Sequence, residues 1–137
     1  MTGFLVCVAV LAAASFYGVL HRRRNGRVRV RGRDEGKRLG ADLLGGELGE
    51  RATLVQFSSA FCAPCRATRR ILGEVADMVP GVTHIEIDAE ARLDLVRDLA
   101  VLKTPTVFVL DADGHVVRRA AGQPRKADVI AALGEAV

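Results

Sequence analysis

Hydrophobic and polar positions divide the chain into three stretches. Residues 2–20 hold no charged side chain. As a helix this run would reach about 28 Å, against a hydrocarbon core of ~30 Å. Nothing in it alternates polar with apolar, which argues against the half-buried helix of a soluble core. Phe16 and Tyr17 stand near its end, where aromatic side chains suit a membrane interface. The pattern predicts a transmembrane anchor over residues 1–20. A cleaved signal peptide is the rival reading, but it wants positive charge ahead of the apolar run, and here that charge comes after.

Residues 21–38 lack a helical period and carry Gly26, Gly32 and Gly36. They read as a flexible, basic juxtamembrane linker. From residue 39 to 137 the pattern becomes that of a folded domain. A short Gly-interrupted helix is expected over 41–48 and a strand over 53–57. A helix over 62–78 is stopped by Pro80 and Gly81. A strand over 82–88 has Ile85 and Ile87 on one face, His84 and Glu86 on the other. A helix over 92–102 turns Leu95, Val96 and Leu99 inward. Residues 105–110 form an unbroken apolar strand, which must be covered on both faces and so lies centrally. Asp111-Ala112-Asp113-Gly114 is a hairpin turn, and 115–121 its partner strand. Pro124 opens a last helix with Val129, Ile130 and Leu133 inward. The order is βαβαββα. It predicts an α/β domain: parallel strands joined by helices on both faces of the sheet, then an antiparallel edge hairpin.

Charge sharpens this division. The 137 residues carry 20 Lys and Arg against 16 Asp and Glu, a net charge of +4. The excess is local. Arg22, Arg23, Arg24, Arg27, Arg29, Arg31, Arg33, Lys37 and Arg38 all fall in the linker, while the domain is mildly acidic. A nucleic-acid binder would spread its basic patch over the folded part. Aromatic residues are only 4%, with no Trp, a poor platform for stacking bases. No nucleic-acid partner is expected. Lys and Arg beside a span are held on the cytoplasmic side. The chain is therefore expected to be single-pass with its domain in the cytoplasm, the extracytoplasmic face being the alternative. The basic stretch would also meet anionic lipid headgroups.

There are three Cys, Cys7, Cys62 and Cys65. An odd number, with one in the apolar run, does not suit a disulfide-stapled scaffold. The informative string is Phe61-Cys62-Ala63-Pro64-Cys65-Arg66, which joins the C-terminal end of a strand to the start of a helix. Reactive groups gather at that edge of an open α/β sheet. The C-x-x-C spacing lets two thiols on one helical turn close into a disulfide. Cys62 would sit where free N–H groups and the helix dipole favour an anion, so its thiolate is stabilised. Cys65 lies one turn further in and keeps its proton longer. Pro64 stiffens the turn without sacrificing a needed N–H, and Arg66 adds positive charge nearby. In this scheme Cys62 attacks a substrate disulfide, and Cys65 attacks the sulfur of Cys62 and releases the reduced substrate. No cofactor is required. A zinc half-site is a rival, but zinc takes four Cys or His ligands and no second C-x-x-C exists. An inert buried pair is the other rival.

Lys103-Thr104-Pro105-Thr106 stands at the entrance of the central strand. Proline cannot donate to a ladder and is tolerated at a strand's first residue. A cis bond there would present the Thr104 backbone beside Cys62, where an extended peptide could pair with it.

Taken in order, Leu54-Val-Gln-Phe57, the C-x-x-C string, Ile85-Glu-Ile-Asp88, Lys103-Thr-Pro-Thr106 and Gly122 resemble the thioredoxin family over residues 52–137. The resemblance implies a thioredoxin fold: a central mixed β-sheet flanked by helices, here behind an N-terminal transmembrane helix. It implies nucleophile Cys62, resolving Cys65 and a cis-Pro105. It also implies a substrate surface of Phe61, Ala63, Pro64, Thr104 and Pro105. Phe61 replaces the family's usual Trp, Ala63 its usual Gly, and Gln56 its buried Asp. An Asp can relay a proton for the second thiol, whereas Gln56 can only hydrogen-bond. Resolution by Cys65 is therefore expected to be slower or to use another base, for which His84 is placed. The implied activity is protein-disulfide reduction by a membrane-tethered thiol–disulfide oxidoreductase. Its partners would be protein disulfides and an external electron donor such as a thioredoxin reductase system. The alternative is a non-catalytic thioredoxin-like module that binds partners or senses redox state. A peroxidase would need its Cys in a different setting, with Arg and Thr nearby.

Overall fold

The computed structural model describes residues 1–24, 28–29, 34 and 36–137. Helix α1 (Thr2–Arg24) buries none of its residues. By length and composition it is apolar enough to cross a membrane. Its polar end is basic, with His21, Arg22, Arg23 and Arg24 in the last turn.

The rest builds around one mixed sheet. Among the described residues its order is β1-β5-β4-β2-β3, with four long strands and a two-residue one: β1 (Val28–Arg29), β2 (Ala52–Ser58), β3 (Val82–Asp88), β4 (Thr106–Asp111) and β5 (Val116–Ala121). The helices are α2 (Ala41–Leu44), α3 (Ala63–Met78), α4 (Leu93–Asp98) and α5 (Lys126–Ala136). From β2 onward this is the βαβαββα order that the periodicity predicts. Strand β2 is buried at every position because side chains alternate across a sheet covered on both sides. Val55 and Phe57 join Leu44, Leu95, Leu99, Phe108 and Leu110 in one core layer. Leu54 joins Leu72, Val75, Val107, Val109, Val129 and Leu133 in the other.

Three expectations need correction. The parallel run ends sooner than expected: β2 and β3 are parallel, but β4 runs antiparallel to β2, with Phe57 opposite Thr106. Helix α4 has six residues, about 9 Å, too short to return the chain along a strand of about 23 Å. The next strand therefore starts at the end where β3 stopped. Helix α4 is also shorter than the 92–102 expected, because Ala100 adopts φ +50 and closes it, its N–H bonding Arg97 O at 3.2 Å. In α5, which begins two residues after Pro124, Ile130 is exposed and Ala132 takes its place in the core beside Val129 and Leu133. The spacing i, i+3, i+4 carries the stripe past Ile130.

Residues ahead of Leu39 also touch the domain. Val28 and Arg29 pair with Ala120 and Arg119 of β5, so β5 has a strand on each side. Arg38 forms a bridge with His115, and Val116 N–H bonds Lys37 O at 3.0 Å. Asp34 is buried against Arg119, with Nε to Oδ2 at 2.9 Å. The same guanidinium donates to the carbonyls of Leu99 and Ala100 beyond α4 and lies 4.5 Å from the centre of the Phe108 ring. It neutralises the negative end of α4 and ties that end to β5.

Candidate active site

Strand β2 delivers the chain to the sheet's C-terminal edge, and the turn after it throws Phe61 outward. Phe61 has φ +56 and a fully exposed side chain. A bulky residue rarely occupies the left-handed region, and here it sits directly before the reactive pair. Cys62 then caps α3, accepting from Cys65 N–H on its Sγ at 3.2 Å. Pro64 lies in the first helical turn, where no backbone donor is missed.

Cys62 and Cys65 form a disulfide, with Cα atoms 5.2 Å apart. Their environments differ. Cys62 is half-buried, whereas Cys65 is 1% exposed. Only the first sulfur can meet an incoming disulfide. Around it stand the exposed Ala63, Pro64 and Arg66.

The loop before β4 closes the other side. The Thr104–Pro105 bond is cis, and Gly122 N–H holds the Pro105 carbonyl at 2.7 Å. Thr104 Oγ1 lies 3.9 Å from Cys62 Sγ and 2.7 Å from Ser59 Oγ. A hydroxyl has one proton to give. Thr104 therefore donates to the sulfur while Ser59 donates to Thr104. Ser59 is a site residue that the sequence reading passes over; its signal is its place just past the end of a wholly buried strand.

Behind the pair, Gln56 is completely buried. Its Nε2 donates to Cys65 O at 2.8 Å and to Ser58 Oγ at 2.9 Å. His84 Nε2 meets Gln56 Oε1 at 3.1 Å. Burial holds the His84 imidazole below its ordinary value of 6.5; Glu86 opposes that shift and Arg69 reinforces it. Glu86 and Arg69 are themselves joined at 2.7 Å and 2.8 Å. The fold thus gathers at one end Phe61, Cys62, Ala63, Pro64, Cys65, Thr104 and Pro105, with Gln56 beneath.

Two sulfurs that join across one helical turn, one reachable and one enclosed, trade their bond with other disulfides. This is the arrangement of a thiol–disulfide oxidoreductase. Comparison with known proteins gives the family: the thioredoxin family model matches residues 47–135, and the chain belongs to the thioredoxin family. It is 32% identical over 100 residues to a thioredoxin of Mycolicibacterium smegmatis, covering 70% of this chain and 85% of that one. Among solved structures, a mutant thioredoxin from Halobacterium salinarum matches with a TM-score of 0.58 at 18% identity, over 64% of this chain and 75% of its own. Fasciola hepatica thioredoxin matches at 0.57 and 21% identity, over 65% and 84%. These two likenesses concern the fold.

Proposed function

We propose that the chain is a membrane-tethered protein-disulfide reductase whose domain faces the cytoplasm. The difference in access between the sulfurs of Cys62 and Cys65 carries this reading. In the dithiol form the Cys62 thiolate attacks a substrate disulfide, and one substrate sulfur leaves as a thiolate. Cys65 gives up its proton and attacks the Cys62 sulfur, expelling the second substrate thiolate. The enzyme is left with the Cys62–Cys65 disulfide, and the substrate has gained two electrons and two protons. An external dithiol donor, such as a thioredoxin reductase system, returns them. A reducing cytoplasm favours this direction.

Phe61, Ala63, Pro64, Thr104 and Pro105 form the surface on which the substrate chain rests, and Arg66 supplies positive charge beside it. Helix α1 supports the tether, and its basic end supports the orientation and contact with lipid headgroups. Replacing Cys65 by Ser in the full chain should trap mixed disulfides through Cys62 in cells. An impermeant thiol reagent applied to intact, reduced cells should leave Cys62 unlabelled. Failure to trap any partner, together with no reduction of a generic protein disulfide, would overturn the reading in favour of a binding module. Labelling of Cys62 would reverse the orientation alone.

A further inference from the structure

Cys65 O can only accept, so the amide nitrogen of Gln56 must face it. That leaves Gln56 Oε1 toward His84, 3.1 Å from Nε2. An oxygen facing a ring nitrogen requires the hydrogen on that nitrogen, so neutral His84 is the Nε2–H tautomer. The result is an unbroken line from an ionisable ring, through one fixed amide, to the peptide of the enclosed cysteine. Neither end of an amide gains or loses a proton near neutral pH. The line therefore transmits charge and orientation, not protons.

Several charged groups surround the ring. Glu86 follows on its own strand, Arg69 reaches over from α3, and Glu47 and Glu50 share an open cleft with it. Arg69 and Glu86 are paired, which reduces the net effect of either. The group whose charge changes with redox state is the cysteine pair: it is neutral as a disulfide and able to hold a thiolate when reduced.

We propose that His84, acting through Gln56, is the positioning residue that couples the redox state of the Cys62–Cys65 pair to pH. This rests on the thiol–disulfide reading above. A thiolate in the reduced state favours the imidazolium, so His84 takes up a proton more readily in reduced than in oxidised protein. By reciprocity, a protonated His84 favours the reduced pair. Wherever His84 is protonated and the reduced pair holds a thiolate, the wild-type disulfide is therefore easier to reduce than that of a variant without the ring. At alkaline pH the two are equal.

The test uses the full chain in detergent micelles. The His84 ring is titrated by NMR in oxidised and reduced protein, and the disulfide is equilibrated with glutathione from pH 5 to pH 9. His84→Gln keeps a donor for Gln56 and removes the titration; His84→Ala removes both. The expected result is a higher His84 midpoint in the reduced state. The expected glutathione equilibrium favours reduction more in wild type than in His84→Gln by up to about fivefold at an intermediate pH, converging by pH 9, where the ring is neutral, and again toward pH 5, where the thiolate is protonated. Equal His84 midpoints in both states, or superimposable profiles, would sink the proposal while leaving activity on a generic disulfide intact. A wild-type chain that reduces no disulfide at all would remove the underlying reading instead.

Discussion

Asp34 and Arg119 form an ion pair inside the protein, 2.9 Å apart, with side chains 3% and 5% exposed. One partner belongs to the stretch that follows the apolar helix and the other to a sheet strand. Breaking a buried pair from one side leaves a charge without its counter-ion. Asp34→Ala should therefore lower unfolding stability by about 3 kcal/mol, softened because Arg119 keeps carbonyl acceptors. Circular dichroism melts of the full chain in micelles measure it. Asp34→Ala with Arg119→Met should recover most of the loss; an unchanged melt for the single variant would refute the role of the pair.

His84 gives a pH dependence of stability. Its folded-state value lies below 6.5 because burial penalises the charged ring. The unfolded chain then binds more protons as pH falls through 6.5, so the contribution is present above that pH and is lost below it. Between pH 7.5 and pH 5, wild type should lose more stability than His84→Gln. Equal losses would mean that the ring is not held neutral by the fold.

Thr104 donates to the Cys62 sulfur, with Ser59 behind it. Valine has nearly the same shape and no hydroxyl. Thr104→Val should slow alkylation of reduced Cys62 at pH 7 by about threefold, the size of a modest net hydrogen bond. Ser59→Ala should slow it less, because Thr104 would keep its own proton for the sulfur. A larger effect at Ser59 would reverse this order of donors.

Phe61 holds a left-handed backbone, and its side chain is fully exposed among the described residues. Asn adopts that conformation at lower cost. Phe61→Asn should raise stability by about 1 kcal/mol and weaken reduction of protein disulfides, with small disulfides hardly affected. Protein and small-molecule rates measured side by side test this. Equal losses for both would place Phe61 in the chemistry instead of in substrate contact.

Much of the site was legible as sequence. The Cys62–Cys65 spacing, Pro64 in the first turn and Pro105 ahead of an apolar strand are local signals, because each depends on backbone geometry within a few residues. The apolar β4, covered on both faces, and the alternation of Ile85 and Ile87 with His84 and Glu86 were equally plain. The antiparallel course of β4 was not, since it depends on how short α4 is. Nor was the pairing of His84 with Gln56, which needs the parallel register of β2 and β3.

The order of residues by itself determined which segments become helix and strand, where the reactive sulfurs sit, and that one run of the chain is apolar enough for a membrane. These follow from periodicity, capping and spacing, which act over a turn or two. Only the tertiary structure decided that Asp34 and Arg119 share a buried pair, and that a ring on one strand faces an amide on the next. Such contacts join positions far apart in the chain, and no local rule reaches across that distance until the sheet closes it.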